Sequence, residues 1–435
     1  MVARVARMAE EGRSACYWAA THGFPWLALR AAARRGDLQS RLTMIGAGGG
    51  EISGVIEEIR AAGPLAQGTF GSLTVDHAVV REVLTSGDFR SGTPVGTTFL
   101  GRVAKATKPD VISPVEPPSL LVTEVPEHTR YRKLVTRVFT GRAVERLRER
   151  TEKTAAELLD RLDATRPADL IAAYCGLLPV TVISEILGVP ECDRRLLLEL
   201  GEGAAPTLDF GLGWRTYRTA ARCSRDFDAW LTGHLGYLRR NPGDNLLSRL
   251  IEARDEQGAL NELKLKSTAG LVLGAGFETT VNLLGNGIKL LHDHPGQLAR
   301  LREDPGLWPN AVEEVLRVDS PVLLTGRMTE RGTELAGRTL PPGSFVTTIL
   351  AGANRDPKVF DDPARFDVTR PNARDHLSFS LGRHHCLGAS LARMEGTAGL
   401  RALFGRYPDL TLLPGARRRT TRILRGWQTL PARLT

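Results

Sequence analysis

The sequence predicts a mainly helical single domain with a smaller β part. Three observations carry that reading. Apolar residues recur at helical spacing from Ala143 to Arg240, broken only near Pro167, Pro190 and Pro206. A second helical pattern runs from Glu262 until Pro295 stops it, with Asn261 placed to cap its start. Strand signals are short and few: Gly71 to Val75, ahead of a helix carrying Val79, Val80 and Val83, and the alternation of Phe345, Thr347 and Ile349.

At 435 residues, length alone would allow about three domains. No internal repeat or low-complexity linker appears, so no domain boundary is placed: a helical, motif-free extension over 1–45 leads into one large domain over 46–435. Forty-two per cent hydrophobic residues suffice for a sizeable core. The cysteines at 16, 175, 192, 223 and 386 are odd in number and scattered, which argues against a disulfide framework and for a reducing cytoplasm. No run of eighteen apolar residues exists. The nearest stretch, Ala15 to Leu29, is interrupted by His22, Gly23 and Pro25, so neither a membrane span nor a signal peptide is expected. Net charge is +9, and Arg417, Arg418, Arg419, Arg422 and Arg425 crowd one stretch. An arginine-rich surface is the plain reading of that crowd. Nucleic acid is disfavoured because no basic motif is interleaved with aromatics.

Along the chain, 91–126 is rich in Gly, Pro and Thr and reads as a long irregular segment of the functional kind. His128 opens a helix reaching about Thr140, and Arg132 lies four residues on, on the same face. Two donors on one face suit an anion, although a solvated basic face would read the same way. Gly201 to Trp214 reads as a break between helices. The long helix from Glu262 holds Gly270, Gly274, Gly276, Gly285 and Gly287, each costing about 1 kcal/mol relative to alanine. Close packing against a flat ligand, or a local break in the hydrogen-bond ladder, would offset that cost. At its centre stands Ala275-Gly276-Phe277-Glu278-Thr279-Thr280, and a carboxylate beside hydroxyls is poor helix chemistry. Asn310 is placed to cap a further helix, with Glu313 closing a capping box and Glu314 and Arg317 sharing a face. Last comes Phe379-Ser380-Leu381-Gly382-Arg383-His384-His385-Cys386-Leu387-Gly388-Ala389, a glycine-framed loop with one cysteine before a helix from Ala389 to about Phe404. A helix N-terminus favours a thiolate. A zinc site at His384, His385 and Cys386 is the weaker alternative, since adjacent residues point in different directions.

The spacing F-x-x-G-x-H-x-C-x-G resembles the haem loop of the cytochromes P-450, with Cys386 as the thiolate ligand of iron. The motif at Ala275–Thr280 resembles that superfamily's oxygen-activation motif. Glu314-x-x-Arg317, Arg327, Pro342-Gly343, Ala353-Asn354-Arg355-Asp356-Pro357 and Phe366-Asp367-Val368-Thr369-Arg370 follow in the superfamily's order. The strings at Gly274–Gly287 and Leu424-Arg425-Gly426-Trp427 look nearest to the mycobacterial family 140, of the soluble actinobacterial type. The resemblance spans about residues 70 to 430.

It implies the cytochrome P-450 fold enclosing one haem b (iron protoporphyrin IX) and a monooxygenase. One atom of O2 would enter a small apolar organic substrate by hydroxylation or epoxidation, and the other would leave as water. It assigns Glu278 and Thr279 to catalysis as a proton relay. His128, Arg132, Arg327 and His384 would meet haem propionates, with Phe379, Gly382, Gly388 and Ala275 also against the cofactor. Glu314, Arg317 and Arg370 would be structural. Pocket candidates are Phe99, Leu100, Leu208, Phe210, Gly276, Phe277, Leu323, Leu324 and Ile423, with 91–126 and 201–214 lying over the pocket. A haem carrier or sensor would have no use for the Glu278–Thr279 pair, and peroxide-driven relatives lack it. The glycine-rich run Gly46–Gly50 lacks the G-x-G-x-x-G spacing of a nucleotide site. Electrons would therefore come from a ferredoxin and its ferredoxin reductase, with the positive charge suited to an acidic donor.

Overall fold

The long central helix is buried on nearly every side, and the rest of the chain is layered around it. In this computed structural model the described residues are 2–92, 99–109, 111–136, 139, 141–255 and 258–435. The helices, in order, are α1 (Val2–Trp18), α2 (Phe24–Arg34), α3 (Leu38–Ala47), α4 (Ser53–Ala61), α5 (His77–Thr85), α6 (Phe99–Thr107), α7 (Glu127–Thr136), α8 (Gly141–Asp160), α9 (Leu177–Leu187), α10 (Arg194–Ala204), α11 (Trp214–Arg240), α12 (Leu246–Glu252), α13 (Glu262–Asp293), α14 (Pro295–Glu303), α15 (Trp308–Val318), α16 (Leu350–Ala353) and α17 (Ala389–Arg406). A π turn, Ala19–Gly23, joins α1 to α2.

The main core gathers Phe277, Val281, Leu284 and Ile288 of α13 with Leu178 and Ile183 of α9, Val312 and Val315 of α15, and Leu400 and Leu403 of α17. A helix apolar all round belongs at such a centre. Asn261 caps it as expected, its Oδ1 accepting from Lys264 N–H at 2.9 Å. The main sheet runs in the order 66–68, 71–74, 345–348, 325–329, 89–91. Only the pairing of 345–348 with 71–74 is parallel. Leu42, Ile56, Ile59, Leu73 and Ile349 form a satellite core beneath it.

Several expectations change. The segment 91–126 is not wholly irregular, since α6 lies within it, while 93–98 and 110 fall outside the described residues. The helix expected to reach Thr140 is described to Thr136, and 137, 138 and 140 lie outside the described residues. Gly201 and Gly203 belong to α10, so the 201–214 break begins only after a 3-10 turn at Ala205–Leu208. Asn310 is no cap: α15 starts at Trp308 with Leu307 before it. Instead the Asn310 amide donates to Val368 and Arg370 carbonyls at 2.8 and 3.0 Å. Helix α13 runs as one α-helix without a break. Four of its five glycines are explained by close packing: an added Cβ would lie 2.9 Å from Ile112 at Gly270, 2.8 Å from Ile183 at Gly276, 2.9 Å from Ile171 at Gly285 and 2.7 Å from Leu400 at Gly287.

Candidate functional site

The cysteine loop is held open by its own backbone. Gly382 has φ +68°, and a Cβ there would meet the Leu84 carbonyl oxygen at 2.5 Å, so geometry and packing both demand glycine. The Gly382–His384 turn leads to Cys386, whose N–H donates to Phe379 O at 2.8 Å. Gly388, the N-cap of α17, is different. Its φ is an ordinary −86°, and an added Cβ would meet nothing within 4 Å. Nothing among the described residues requires glycine at 388, which leaves room there for a ligand face. Cys386 itself keeps accessible surface in a recess although Ala389 and Leu391 just after it are buried. That depth raises the thiol pKa, opposed by the Gly388 N–H and the charges of Arg132 and Arg393. The expected helix-terminus effect is thus outweighed by burial in the protein alone. Arg393 lies over the Phe379 ring at 4.5 Å.

Around this loop cationic side chains converge. Arg132 Nη2 donates to His385 O at 2.7 Å, and the His128 and His384 rings lie 4.5 Å apart. Burial and the neighbouring positive groups His384 and Arg132 lower His128 to about 4. His384 Nε2 and Arg383 Nη1 meet the two oxygens of Glu124 at 3.1 and 3.0 Å. Burial would raise that carboxyl, but these contacts outweigh it and hold Glu124 at about 2. Arg327 is 5% exposed on strand Thr325–Thr329. It donates to Thr325 Oγ1 and Gly326 O, makes no ion pair among the described residues, and is lowered to about 10 by burial. A buried guanidinium of this kind calls for an anion. His128, Thr129, Arg132, Lys133, Gly382 and Arg383 also line an open basic cavity of about 530 Å³.

Helix α13 contributes one accessible stripe. Leu271, Gly274, Ala275 and Thr279, at helical spacing, keep accessible surface while Val272, Leu273, Phe277 and Glu278 are buried. A Cβ on Gly274, the fifth glycine, would meet nothing within 4 Å. Thr279 Oγ1 donates to Ala275 O at 3.0 Å. The α13 and α17 helices run side by side: an added Cβ on Gly396 would touch Leu283, on Gly399 Leu284, and on Gly287 Leu400. Following both helices back toward their N-termini carries the Ala275–Thr279 stripe toward Ala389 and the cysteine loop. Glu278 lies on the flank. It is 3% exposed and ion-paired through Oε1 with Arg419, and its Oε2 has no hydrogen-bond partner among the described residues. Burial raises its pKa, Glu202 adds to the rise, and Arg419 opposes it.

Glu314, Arg317 and Arg370 come together in one buried cluster. Arg317 Nε and Nη2 donate to the two Glu314 oxygens at 2.7 and 2.8 Å, and Arg370 Nε donates to Oε1 at 3.1 Å. Arg317 also donates to the carbonyls of Asn354, Pro363 and Arg365. Asn354 in turn holds Leu377 N–H and Ser378 Oγ at 2.7 and 2.8 Å, so the lock reaches the cysteine loop.

Not every expected pocket residue faces the α13 stripe. Gly276 abuts Ile183, and fully buried Phe277 fills the space beside Gly201. Leu323 is buried in the satellite core, with Leu324 packed against it. Phe99 and Phe210 are exposed, and Leu100, Leu208 and Ile423 half-buried. Of the arginine crowd near the C-terminus Arg417 is exposed, but the other four are not free surface. Arg418 and Arg425 both bind Asp319, at 2.6 and 3.1 Å, Arg419 holds Glu278, and Arg422 is buried. Sequence reasoning missed Glu124, the counter-charge of the loop, although the adjoining cations signal a need for one. It also took Glu313 for a cap. Glu313 instead meets His376 at 3.0 Å and Arg393 at 2.8 Å.

A flat dianionic macrocycle with a metal centre fits this site: an accessible thiol, a buried unpaired guanidinium, and Gly274, Ala275 and Gly388 presenting little or no side chain. Comparison with known proteins agrees. The cytochrome P-450 family model matches residues 307–421. The chain is 51% identical over 428 residues to putative cytochrome P-450 140 of Mycobacterium tuberculosis, covering 96% of this chain and 97% of that one. It is 43% identical to 6-deoxyerythronolide B hydroxylase of Saccharopolyspora erythraea, covering 72% and 77%. Among solved structures it resembles the BioI cytochrome P-450 in complex with an acyl carrier protein bearing hexadec-9Z-enoic acid, with TM-score 0.81, 32% identity, and 88% and 98% coverage. It also resembles the tirandamycin C-bound monooxygenase TamI, with TM-score 0.77, 33% identity, and 88% and 97% coverage.

Proposed function

The chain belongs to the cytochrome P-450 family and is a haem-dependent monooxygenase taking electrons from redox partners, and on that premise we propose that it hydroxylates or epoxidises a bulky apolar organic substrate with electrons from a ferredoxin and its reductase. The observation that carries the site assignment is Cys386, accessible in a glycine-framed loop ahead of α17. In this reading Cys386 holds the iron, while His128, Arg132, Arg327 and His384 hold the propionates. Haem, when bound, supplies the redox chemistry that activates dioxygen. With its hydroxyl proton on Ala275 O, the Thr279 oxygen is free to accept a hydrogen bond from a water in the recess. Glu278, with its pKa raised and one oxygen unpartnered, is suited to passing protons toward that water.

Phe99, Leu100, Leu208, Phe210 and Ile423 form the substrate rim in this reading. Relatives whose names carry 6-deoxyerythronolide B and tirandamycin C favour a large ligand over the small one expected from the sequence. The basic cavity beside Arg132 and Arg383 suits an acidic ferredoxin. Five free cysteines, and no helix among the described residues long and apolar enough to cross a membrane, support a cytoplasmic setting. The test is the spectrum of reduced protein with carbon monoxide. A red-shifted Soret band in the wild type, absent in Cys386→Ser, is expected. An unchanged band in that variant would overturn the ligand assignment.

A further inference from the structure

The motif-free N-terminal segment closes on the rim from outside. Trp18 Nε1 donates to Leu212 O at 2.8 Å, and the Trp18 and Trp214 rings meet edge to face, 5.4 Å apart. His22 lies 5.4 Å from the ring of Tyr217. Gly211 has φ +71°, and an added Cβ would sit 3.2 Å from the Trp26 ring, so the backbone passes directly against that tryptophan. On the other side, Arg422 lies over Trp26 at 4.9 Å and donates to Gly211 O at 3.0 Å. Asp209 accepts the N–H groups of Arg422 and Ile423 at 2.9 to 3.0 Å. The connection 209–213 is thus clamped between the N-terminal helices and the C-terminal loop. Helix α1 and the π turn pack along α6, and Arg13 Nη2 of α1 donates to the Lys108 carbonyl just past its end at 3.3 Å.

We propose that Trp18, His22 and Trp26 set the width of the substrate mouth and make the N-terminal segment a specificity-determining strap. The inference rests on the rim reading above. Phe99 and Leu100 on α6, Phe210 on the connection and Ile423 on the C-terminal loop belong to three separate chain segments. Each of those segments is tied to the N-terminal helices directly or through Arg422. A rim built from independent segments opens when one swings outward, and the clamp opposes that swing. A tight clamp passes small ligands freely and slows large ones, which must wait for opening. Selection by size then follows from residues that touch no substrate, so these are positioning residues.

The experiment uses the haem-loaded full chain. Imidazole and a triarylmethyl imidazole are mixed with wild type, Trp18→Phe and Trp18→Phe/Trp26→Leu, and association is followed by the azole-induced spectral shift. Hydrogen exchange over 205–213 is measured on the same proteins. Trp18→Phe keeps an aromatic ring, trims the indole to a phenyl and removes one neutral hydrogen bond. The bulky azole should therefore bind about two- to tenfold faster, with imidazole unchanged and exchange over 205–213 increased. The double variant should show a larger effect of the same kind. If exchange rises while the bulky-to-small rate ratio stays fixed, the strap does not control entry and the proposal falls. If neither changes, the contacts hold nothing and it falls as well. A wild type without any azole shift would count against the haem reading instead, and exchange would still report on the clamp.

Discussion

Replacing Glu314 by alanine should destabilise the protein by about 3–5 kcal/mol, the usual result of breaking a buried ion pair from one side. Glu314 and Arg317 have no accessible side-chain surface, and Arg370 is 7% accessible. The carboxylate accepts three guanidinium hydrogen bonds and the Asp367 N–H. Alanine leaves two buried cations without their counter-charge. Against a net stability of about 5–15 kcal/mol, that loss is a fifth of the total at the least. The control is on the surface: Arg148 and Glu145 have the same i,i+3 spacing and a 2.8 Å contact but are 41% and 64% accessible. Glu145→Ala should leave stability nearly unchanged, because water screens an exposed pair. The assay is urea unfolding followed by circular dichroism, with the haem absorbance read in parallel, because the lock reaches Ser378 through Asn354. The double variant Glu314→Met/Arg317→Met should not recover wild-type stability, since Arg317 also serves three carbonyl groups. A Glu314→Ala protein as stable as Glu145→Ala, or full recovery in the double variant, would refute the reasoning.

Other predictions follow from the site and its surroundings. Thr279→Ala should keep haem and substrate binding yet divert electrons to hydrogen peroxide, read as product formed per electron consumed. Arg419 lowers the Glu278 pKa, so Arg419→Gln should move the Glu278-dependent limb of the pH–rate profile to higher pH, while Glu278→Gln should abolish that limb and slow turnover. Reduction by ferredoxin should slow as salt rises, because exposed charges are screened beyond roughly 8 Å at physiological ionic strength, and stopped-flow reduction across a salt series checks it. Burial first, and Arg422 second, lower His22 from 6.5 to about 4. The unfolded chain therefore binds the His22 proton at higher pH than the folded one. The stability that neutral His22 preserves is present above pH 6.5 and lost as pH falls toward 4. The stability difference between wild type and His22→Gln should shrink or reverse across that window.

Periodicity and punctuation were enough to read α13, α17 and the strand at 71–74, because each rests on local chemistry: an Asn261 cap, a Pro295 stop, and side chains apolar at the right interval. The reading failed where a local signal was claimed by a distant partner. Asn310 is chemically a good cap, but its amide is used by the carbonyls of Val368 and Arg370, some sixty positions on. Glu313 is recruited by His376 and Arg393 for the same reason. Both losses favour tertiary contacts over a local turn, and no sequence window contains the competitor.

The glycines of α13 and the C-terminal arginines show the same limit at the site. Five glycines in one helix signalled a flat ligand, yet only Gly274 meets open space, and the other four admit Ile112, Ile183, Ile171 and Leu400. Composition reveals that something approaches the helix closely but cannot tell a neighbouring isoleucine from a macrocycle. The arginine crowd read as surface because its acids lie far away in sequence: Asp209, Glu278 and Asp319. Arg419 closes one end of the proposed proton route, and Arg422 closes one end of the clamp on 209–213. The final loop therefore ties the acid on α13 to the connection 209–213, the proposed rim of the substrate mouth. Residues that looked like solubilising charge link the proposed proton route to the proposed substrate mouth, and they do so through partners more than a hundred positions away.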